Sequence, residues 1–90
     1  MSSASRQMKI VNQKGLHARA AAKFVKVAGE YASEISVCLG KTEVCGTSIM
    51  GLMMLAASRG TVISVTADGY DAETAVEALS ELVRNRFDED

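Results

Sequence analysis

The chain contains no proline and no tryptophan, and it has only one histidine, His17. No apolar run approaches the roughly 18 to 20 residues that a membrane-spanning helix requires, so we expect no membrane insertion. The net charge of -1 lacks the basic surplus typical of nucleic-acid-binding proteins. The opening residues, M-S-S-A-S-R-Q, carry neither the basic segment nor the apolar segment of a secretion signal. We therefore expect a cytoplasmic protein that binds no nucleic acid.

The two cysteines, Cys38 and Cys45, allow three interpretations: a disulfide, a metal pair, or reduced structural residues. If Gly40-Lys41 forms a two-residue turn, residue 38 lies opposite 43 and residue 36 lies opposite 45. The cysteines then become diagonal neighbours on one sheet face, about 7 to 8 Å apart. That separation is wider than a relaxed disulfide tolerates. One histidine and no C-x-x-C motif support a metal site poorly. We predict reduced cysteines, no metal and no cofactor.

The composition suits one folded domain. Hydrophobic residues make up 48% of the 90 residues and charged residues 23%, which is ordinary for a globular protein and wrong for a disordered one. A chain of this length usually supports one core. We expect residues 1–90 to form a single domain whose acidic end, residues 88–90, frays because its charges oppose the dipole of the preceding helix.

Hydrophobic periodicity predicts the element order β-α-β-β-α-β-α. The predicted strands are 7–12, 35–39, 42–45 and 61–67, and the predicted helices are 18–30, 48–58 and from 72 onward. Met8 and Ile10 share one face of the first strand, and Gly15 breaks that strand. The last helix carries one apolar stripe, which consists of Ala72, Ala75, Val76, Leu79, Leu82 and Val83. Gly40-Lys41 fits a type II′ turn because glycine tolerates a positive φ at its first position. Since the strands alternate rather than run solidly apolar, one sheet face should be buried under the helices and the other solvated. The prediction is an α+β fold, a two-layer open-faced β-sandwich.

The stretch G-L-H-A-R-A-A-A-K-F-V, residues 15–25, places His17 where the first helix begins. A neutral imidazole is a nucleophile, and histidine is ordinarily mostly deprotonated at cellular pH. The free N–H groups of a first helical turn favour an anion there, and Arg19 can add a charge-assisted hydrogen bond to a phosphoryl group. The pattern fits a histidine that carries phosphate. The alternative is an exposed cap histidine beside an ordinary surface arginine.

The first helix is predicted to be amphipathic. Its predicted apolar face consists of Ala18, Ala21, Ala22, Val25 and Ala28. The opposite stripe consists of Arg19, Lys23, Lys26 and Glu30. Because three of its four members are cationic, this stripe would favour an acidic partner beside His17, although an ordinary solvated helix face has the same pattern.

The second predicted helix, S-I-M-G-L-M-M-L-A-A, is apolar on all sides. A short helix in a two-layer domain can bury only one side, so either an adaptable methionine surface is exposed or the helix is deeply buried. One face carries Ile49, Met50, Met53 and Ala57, and the other carries Leu52, Leu55, Ala56 and Arg59. Ser48 caps this helix, which is ordinary for serine, but a phosphate on it would place charge beside the apolar face.

Two motifs resemble those of the histidine-containing phosphocarrier (HPr) family of the phosphoenolpyruvate-dependent phosphotransferase system. Residues 15–25 are similar to the family's active-site signature around the phosphorylated histidine. T-S-I-M-G-L-M-M-L, residues 47–55, is similar to its regulatory-serine segment. The length and the order of elements match over essentially the whole chain. The resemblance implies a four-stranded antiparallel sheet in the order 1-4-2-3 with three helices on one face.

The resemblance also implies residue roles. His17 would accept phosphate at Nδ1 from phospho-enzyme I and pass it to an EIIA-type domain, with Arg19 stabilising the phosphoryl group. Ser48 would be phosphorylated by HPr kinase/phosphorylase in an organism that has this enzyme. The surface that binds partners would comprise Lys23, Lys26, Ile49, Met50 and Met53, leaving Leu52 and Leu55 in the core. The implied protein is a monomeric bacterial phosphocarrier, not an enzyme, that serves sugar uptake or nitrogen-related regulation.

The chain departs from the family pattern at two places. Ala20 stands where proline is usual, from which we expect a looser first turn and retained function. The acidic end extends past the usual C-terminus. Two other functions compete with the carrier: a serine-phosphorylated regulatory module that carries no phosphate on histidine, and a small hydrolase that uses His17. Relatives of the first kind lack the histidine, and no nucleophile-elbow motif supports the second.

Overall fold

The computed structural model describes residues 2–89 as an α+β open-faced sandwich. The strands are β1 (Ser3–Lys9), β2 (Glu34–Leu39), β3 (Thr42–Cys45) and β4 (Val62–Asp68), and the helices are α1 (Ala18–Ala28), α2 (Ile49–Met54) and α3 (Ala72–Arg84). The sheet is antiparallel in the order β1-β4-β2-β3. The predicted fold class, order of elements and order of strands are confirmed. Within residues 2–89, no helix combines the length and the hydropathy needed to cross a bilayer.

The two sheet faces follow the predicted alternation. On the side covered by helices, Val37 and Val65 are fully buried and pair with each other across β2 and β4. The β2–β3 hairpin has the predicted register, with Ser36 opposite Cys45, and Gly40 has a φ of 62° at its turn. Cys38 and Cys45 are free thiols, in agreement with the prediction.

The first strand begins earlier than predicted. It covers Ser3–Lys9 instead of 7–12, because this whole segment pairs with β4 at the edge of the sheet. Met8 and Ile10 are both buried, as their spacing indicated, but Ile10 lies beyond the strand and bonds to the loop before β4. The missed residues are small or polar and exposed in part, so they carry no hydrophobic signal.

The buried face of α1 is rotated from the predicted one. The buried residues are Ala20, Ala21, Phe24 and Ala28. Ala18 and Ala22, assigned to the apolar face, are exposed, and Val25 is only half-buried. Phe24 is fully buried, and its burial stabilises the fold far more than that of any alanine, so it determines which face turns inward. The alanines before and after it are too small to specify a face.

The second helix ends at Met54, four residues before the predicted end, and Ala56 takes a positive φ of 53°. Leu52 and Leu55 are buried, as the resemblance implied. The apolar residues on the outer face are exposed by 41% (Ile49), 74% (Met50), 42% (Met53) and 77% (Met54). The exposed methionine surface is therefore confirmed. Beyond the helix the predicted faces of two alanines are wrong. Ala57, which was assigned to the methionine face, is buried, and Ala56, which was assigned to the leucine face, is exposed.

The third helix buries most of its predicted stripe, which includes Val76 and Leu79, whereas Leu82 is half-buried and Ser80 takes a buried position. Its start is tied to the loop before β2 by Asp71. The carboxylate of Asp71 accepts hydrogen bonds from the backbone N–H groups of Ala32 and Ser33, at 2.8 and 2.9 Å, and from the Ser33 hydroxyl at 2.5 Å. This connection joins the loop after α1 to the helix that covers β1 and β4.

Asp71→Asn is expected to lower thermal stability at neutral pH and to flatten its pH dependence. Hydrogen bonds from Ser33 and Ala32 hold the pKa of Asp71 below its ordinary range. A lowered folded-state pKa stabilises the fold at pH values above the unfolded-state pKa, which is about 4. This stability is lost as the pH falls through the folded-state pKa. Melting temperatures of both proteins at neutral and strongly acidic pH test this. Asp68→Asn removes the same charge from an exposed position and is the control. It should keep the wild-type difference in melting temperature between neutral and acidic pH. If the two variants show the same pH dependence of melting temperature, the prediction is wrong.

Candidate phosphoryl-acceptor site

His17 immediately precedes α1 and has an extended backbone, with φ of -77° and ψ of -178°. Its carbonyl accepts the N–H of Ala21 at 2.8 Å, whereas its ring makes no capping hydrogen bond to the first turn. The His17 side chain retains 28% of its accessible surface. The ring therefore stands beside the first-turn N–H groups without using them, and it is accessible to another protein.

The loop before His17 is held by the segment that follows α2. The N–H of Leu16 donates to the carbonyl of Ala57 at 2.9 Å, and the Leu16 side chain is buried. Gly15 has a φ of 66°, and a Cβ at this position would lie 2.4 Å from the same carbonyl oxygen. Only glycine permits this approach. The sequence indicated Gly15 as the end of a strand, but its contact with Ala57 also positions His17.

A carboxylate near the end of the chain binds the ring of His17. Nε2 lies 2.5 Å from Oε2 of Glu89, and the other carboxylate oxygen, Oε1, accepts a hydrogen bond from the Asn12 side chain at 3.0 Å. Asn12 is fully buried, and the same amide nitrogen also donates to the Gly15 carbonyl at 2.8 Å. The residue before the helix, the loop after β1 and the end of the chain thus meet at one imidazole.

Glu89 reaches this position through a turn with left-handed backbone. Arg86, Phe87 and Asp88 have φ values of 57°, 54° and 61°. Phe87 is fully buried, and Lys23 Nζ donates to its carbonyl at 2.8 Å. Asp88 and Glu89 belong to the acidic end that is expected to fray, and their N–H groups form backbone hydrogen bonds in this turn. The last residue of the chain lies outside the described residues.

A shallow cavity of about 360 Å³ opens at His17. Its lining consists of Gln13, Lys14, His17, Arg19, Lys23, Asp88 and Glu89. Three of these side chains are cationic, and Arg19 is exposed, so an anion entering the cavity would meet positive charge. A larger cavity of about 700 Å³ lies over β2 and β3 and contains none of the predicted site residues.

The pKa of the Glu89 carboxylate lies below its ordinary range. Burial raises the pKa of Glu89, but hydrogen bonds from Asn12 and His17 and the nearby charges of His17 and Lys14 outweigh burial, and the net pKa is lowered. Glu89 is therefore ionised at neutral pH. Because an ionised carboxylate can only accept hydrogen bonds, Nε2 of His17 carries the proton between the two groups.

The structure brings some of the predicted site residues together and separates others. Arg19 and Lys23 line the cavity at His17, and Lys23 also holds the chain end through Phe87. Lys26 is exposed on α1 outside the cavity lining. Ser48 is the N-cap of α2, and its hydroxyl oxygen accepts the N–H of Gly51 at 3.0 Å.

Sequence reasoning missed Asn12, Phe87 and Glu89. A single asparagine at the end of a strand and a glutamate in an acidic end have no periodic pattern that marks them. Phe87 did carry a signal, since an isolated aromatic residue beyond the last helical stripe indicates that the chain folds back on the core.

Comparison with known proteins agrees with this geometry. The model of a family described as "PTS HPr component phosphorylation site" matches residues 4–85. The chain belongs to the HPr family. A phosphocarrier protein HPr from Xylella fastidiosa (strain Temecula1) is 50% identical over 84 residues, covering 93% of this chain and 94% of the relative. A phosphocarrier protein NPr from Shewanella violacea is 39% identical over 99% of this chain and 98% of the relative.

Solved structures support the same assignment. HPr-C-His from Thermoanaerobacter tengcongensis matches with a TM-score of 0.89 and 40% identity, covering 100% of this chain and 99% of that one. The resemblance inferred from the two HPr-like motifs is confirmed. HPr proteins are phosphocarriers of the phosphotransferase system, so the expectation of a carrier rather than an enzyme is also confirmed.

Proposed function

We propose that this HPr-family chain carries phosphate on His17, which accepts it from phospho-enzyme I and passes it to an EIIA-type domain. The observation that carries the proposal is the His17 ring itself. It lies beside the first turn of α1, partly exposed to solvent, with Nε2 bound to Glu89. Nδ1 is then the nitrogen with a free lone pair, since it forms no hydrogen bond within residues 2–89.

The transfer follows from this arrangement. The Nδ1 lone pair attacks phosphorus, the bond between phosphorus and the donor group breaks, and its electron pair leaves with the donor. The phosphoryl oxygens are then stabilised by the N–H groups of the first turn and by the Arg19 guanidinium. The second transfer is the same reaction with an EIIA nucleophile attacking. No covalent bond to the protein other than N–P forms or breaks.

Docking uses the exposed face of α2 together with the cations of α1. Ile49, Met50 and Met53 are exposed on α2, and α2 packs against α1. Methionine side chains adapt to different surfaces, which suits a carrier that meets a donor and several acceptors in turn. Arg19 and Lys26 on α1 would contact acidic groups at the edge of the partner. Sugar uptake and nitrogen-related regulation both fit, because the acceptor EIIA decides between them; the monomeric state stays a prediction.

Ser48 is the proposed regulatory site, a substrate of HPr kinase/phosphorylase in an organism that has it. Its hydroxyl lies next to Ile49, the first residue of the exposed patch. Phosphorylation would add roughly two negative charges beside this apolar surface, where a partner must lose water to dock. A phosphoserine oxygen can still accept the Gly51 N–H, so the cap itself would remain.

Ser48→Asp is therefore expected to slow phosphate acceptance from enzyme I by about tenfold, an effect equivalent to roughly 1.4 kcal/mol of lost docking energy. Ser48→Asn is the matched control, because both residues are good N-caps and only aspartate adds charge. Initial rates of phosphorylation with limiting enzyme I test the prediction. If both variants are slowed equally, loss of the cap geometry explains the effect and the charge mechanism is wrong.

The proposed function is tested by a two-step transfer. The chain is first phosphorylated with labelled phosphoenolpyruvate and catalytic enzyme I, separated from both, and then mixed with an EIIA domain. We expect the label to leave this chain and to appear on EIIA. A regulatory module without a phosphohistidine would take no label in the first step, and a label that stays on the chain in the second step would also contradict the carrier function.

A further inference from the structure

A carboxylate is held against the acceptor ring, although it takes no part in the bonds that form and break during the transfer described above. Glu89 Oε2 lies 2.5 Å from Nε2 of His17, and the Glu89 side chain retains only 16% of its accessible surface. The contact spans 72 positions of the chain. The tertiary fold, and not proximity in the sequence, therefore brings the two residues together.

Three features of the fold hold Glu89 in this contact. The buried Asn12 amide donates to Oε1 of Glu89, so each carboxylate oxygen has a donor. Phe87 is fully buried two residues earlier and anchors the chain end. Three consecutive non-glycine residues, Arg86 to Asp88, adopt left-handed backbone, which L-residues avoid. Strained backbone of this kind persists where the surrounding structure imposes it, and it is concentrated at functional sites.

We propose that Glu89 is a positioning residue for phosphoryl transfer: it holds the Nε2–H of His17 and so presents the Nδ1 lone pair to the incoming phosphorus. The inference rests on the proposed function of His17 as the acceptor. A neutral imidazole has two tautomers, and only the one protonated at Nε2 is nucleophilic at Nδ1. The carboxylate accepts from that tautomer and cannot accept from the other at the same atom. It also fixes the rotation of the ring.

The same contact stabilises the phosphorylated state. When Nδ1 bonds to phosphorus, the ring keeps its Nε2 proton and becomes cationic, while the donor group takes the electron pair of the broken bond. An anionic Glu89 facing that cation stabilises it, and a charged ring is the better leaving group for the next transfer. The other charged groups around the ring are Lys14 before the helix, Arg19 and Lys23 on α1, and Asp88 in the turn. The three cations line the cavity at the ring, whereas Glu89 contacts its Nε2 directly.

Two measurements on one set of variants test the proposal. Nitrogen NMR of the His17 ring, in its neutral form at mildly alkaline pH, reports which nitrogen carries the proton. In the wild type we expect a single tautomer protonated at Nε2. In Glu89→Gln and Glu89→Ala we expect a second population protonated at Nδ1 and a rate of phosphate acceptance about tenfold lower. Glu89→Asp keeps the charge on a shorter side chain, so it should partly restore both the Nε2-protonated tautomer and the rate of phosphate acceptance. Glu43→Gln removes the same charge from an exposed position on β3 and should change neither.

The outcomes separate this inference from the proposed function. A wild-type chain that takes no phosphate overturns the function and, with it, the role of Glu89. A wild type that takes phosphate, with Glu89 variants of equal rate and unchanged tautomer, overturns the role of Glu89 alone. A rate that falls while the tautomer stays unchanged also overturns it, because Glu89 then acts on partner docking and not through the ring.

Discussion

His17→Ala is expected to abolish phosphate acceptance and to leave the fold intact. No other histidine exists in the chain, so no second imidazole can replace the lost nucleophile. The ring is partly exposed and its side chain contacts Glu89 rather than the sheet, so its removal opens no cavity in the core. We expect the free energy of unfolding to change by no more than about 1 kcal/mol. Intact mass after incubation with phosphoenolpyruvate and enzyme I measures acceptance, and thermal melting measures the fold.

The control for this substitution is Tyr70→Ala. Tyr70 is 84% exposed, lies outside the cavity at His17, and loses a larger side chain than His17 does. This variant should accept phosphate at the wild-type rate. Phosphate on His17→Ala at the wild-type stoichiometry would place the acceptor elsewhere in the chain and would contradict the account.

Gly15→Ala is expected to destabilise the fold strongly. Its φ of 66° is unfavourable for alanine by about 1 to 2 kcal/mol. The new Cβ would also meet the Ala57 carbonyl oxygen at 2.4 Å, and an overpacked contact of this kind costs about 1 to 3 kcal/mol more. A total of about 2 to 5 kcal/mol is a large part of the stability of a small domain. Because the loop must move away from Ala57, the rate of phosphate acceptance should fall as well.

Gly40→Ala separates the two causes. Gly40 has a similar φ of 62°, but a Cβ there would meet no atom within 4 Å. Gly40→Ala should therefore lower the free energy of unfolding only through its unfavourable φ, and it should leave phosphate acceptance unchanged. Chemical denaturation of both variants gives the two free energies of unfolding. If Gly15→Ala is no more destabilising than Gly40→Ala, the contact with Ala57 does not hold the loop in place.

The fold was predictable where the hydrophobic pattern and the turn residues indicate the secondary structure clearly. The β2–β3 hairpin combined clear alternation with a glycine at its turn, and its register was predicted residue by residue. The errors occurred where that signal is weak. Alanines in α1 could not specify a face, so the buried face was set by Phe24, and the polar edge strand β1 was predicted to start four residues late.

Only the site residues that are close together in sequence were predictable. His17 and Arg19 are neighbours at one helix start, and local spacing is sufficient to associate them. The contact of Glu89 with His17 and Asn12 joins positions more than 70 residues apart, which no local pattern can encode. It depends on the burial of Phe87 and on a left-handed turn formed by three non-glycine residues, a conformation that sequence preferences argue against.

The central claim is that His17 accepts phosphate on a ring nitrogen. The most direct measurement is the intact mass of the wild-type chain after incubation with phosphoenolpyruvate and catalytic enzyme I, divided into samples exposed briefly to acid or to alkali. A phosphoryl group on imidazole nitrogen hydrolyses in acid and survives alkali, whereas a phosphoserine survives acid. The account predicts one added phosphate that acid removes and alkali leaves in place. An added phosphate that survives acid, or no added phosphate on a chain shown to be folded, would contradict it.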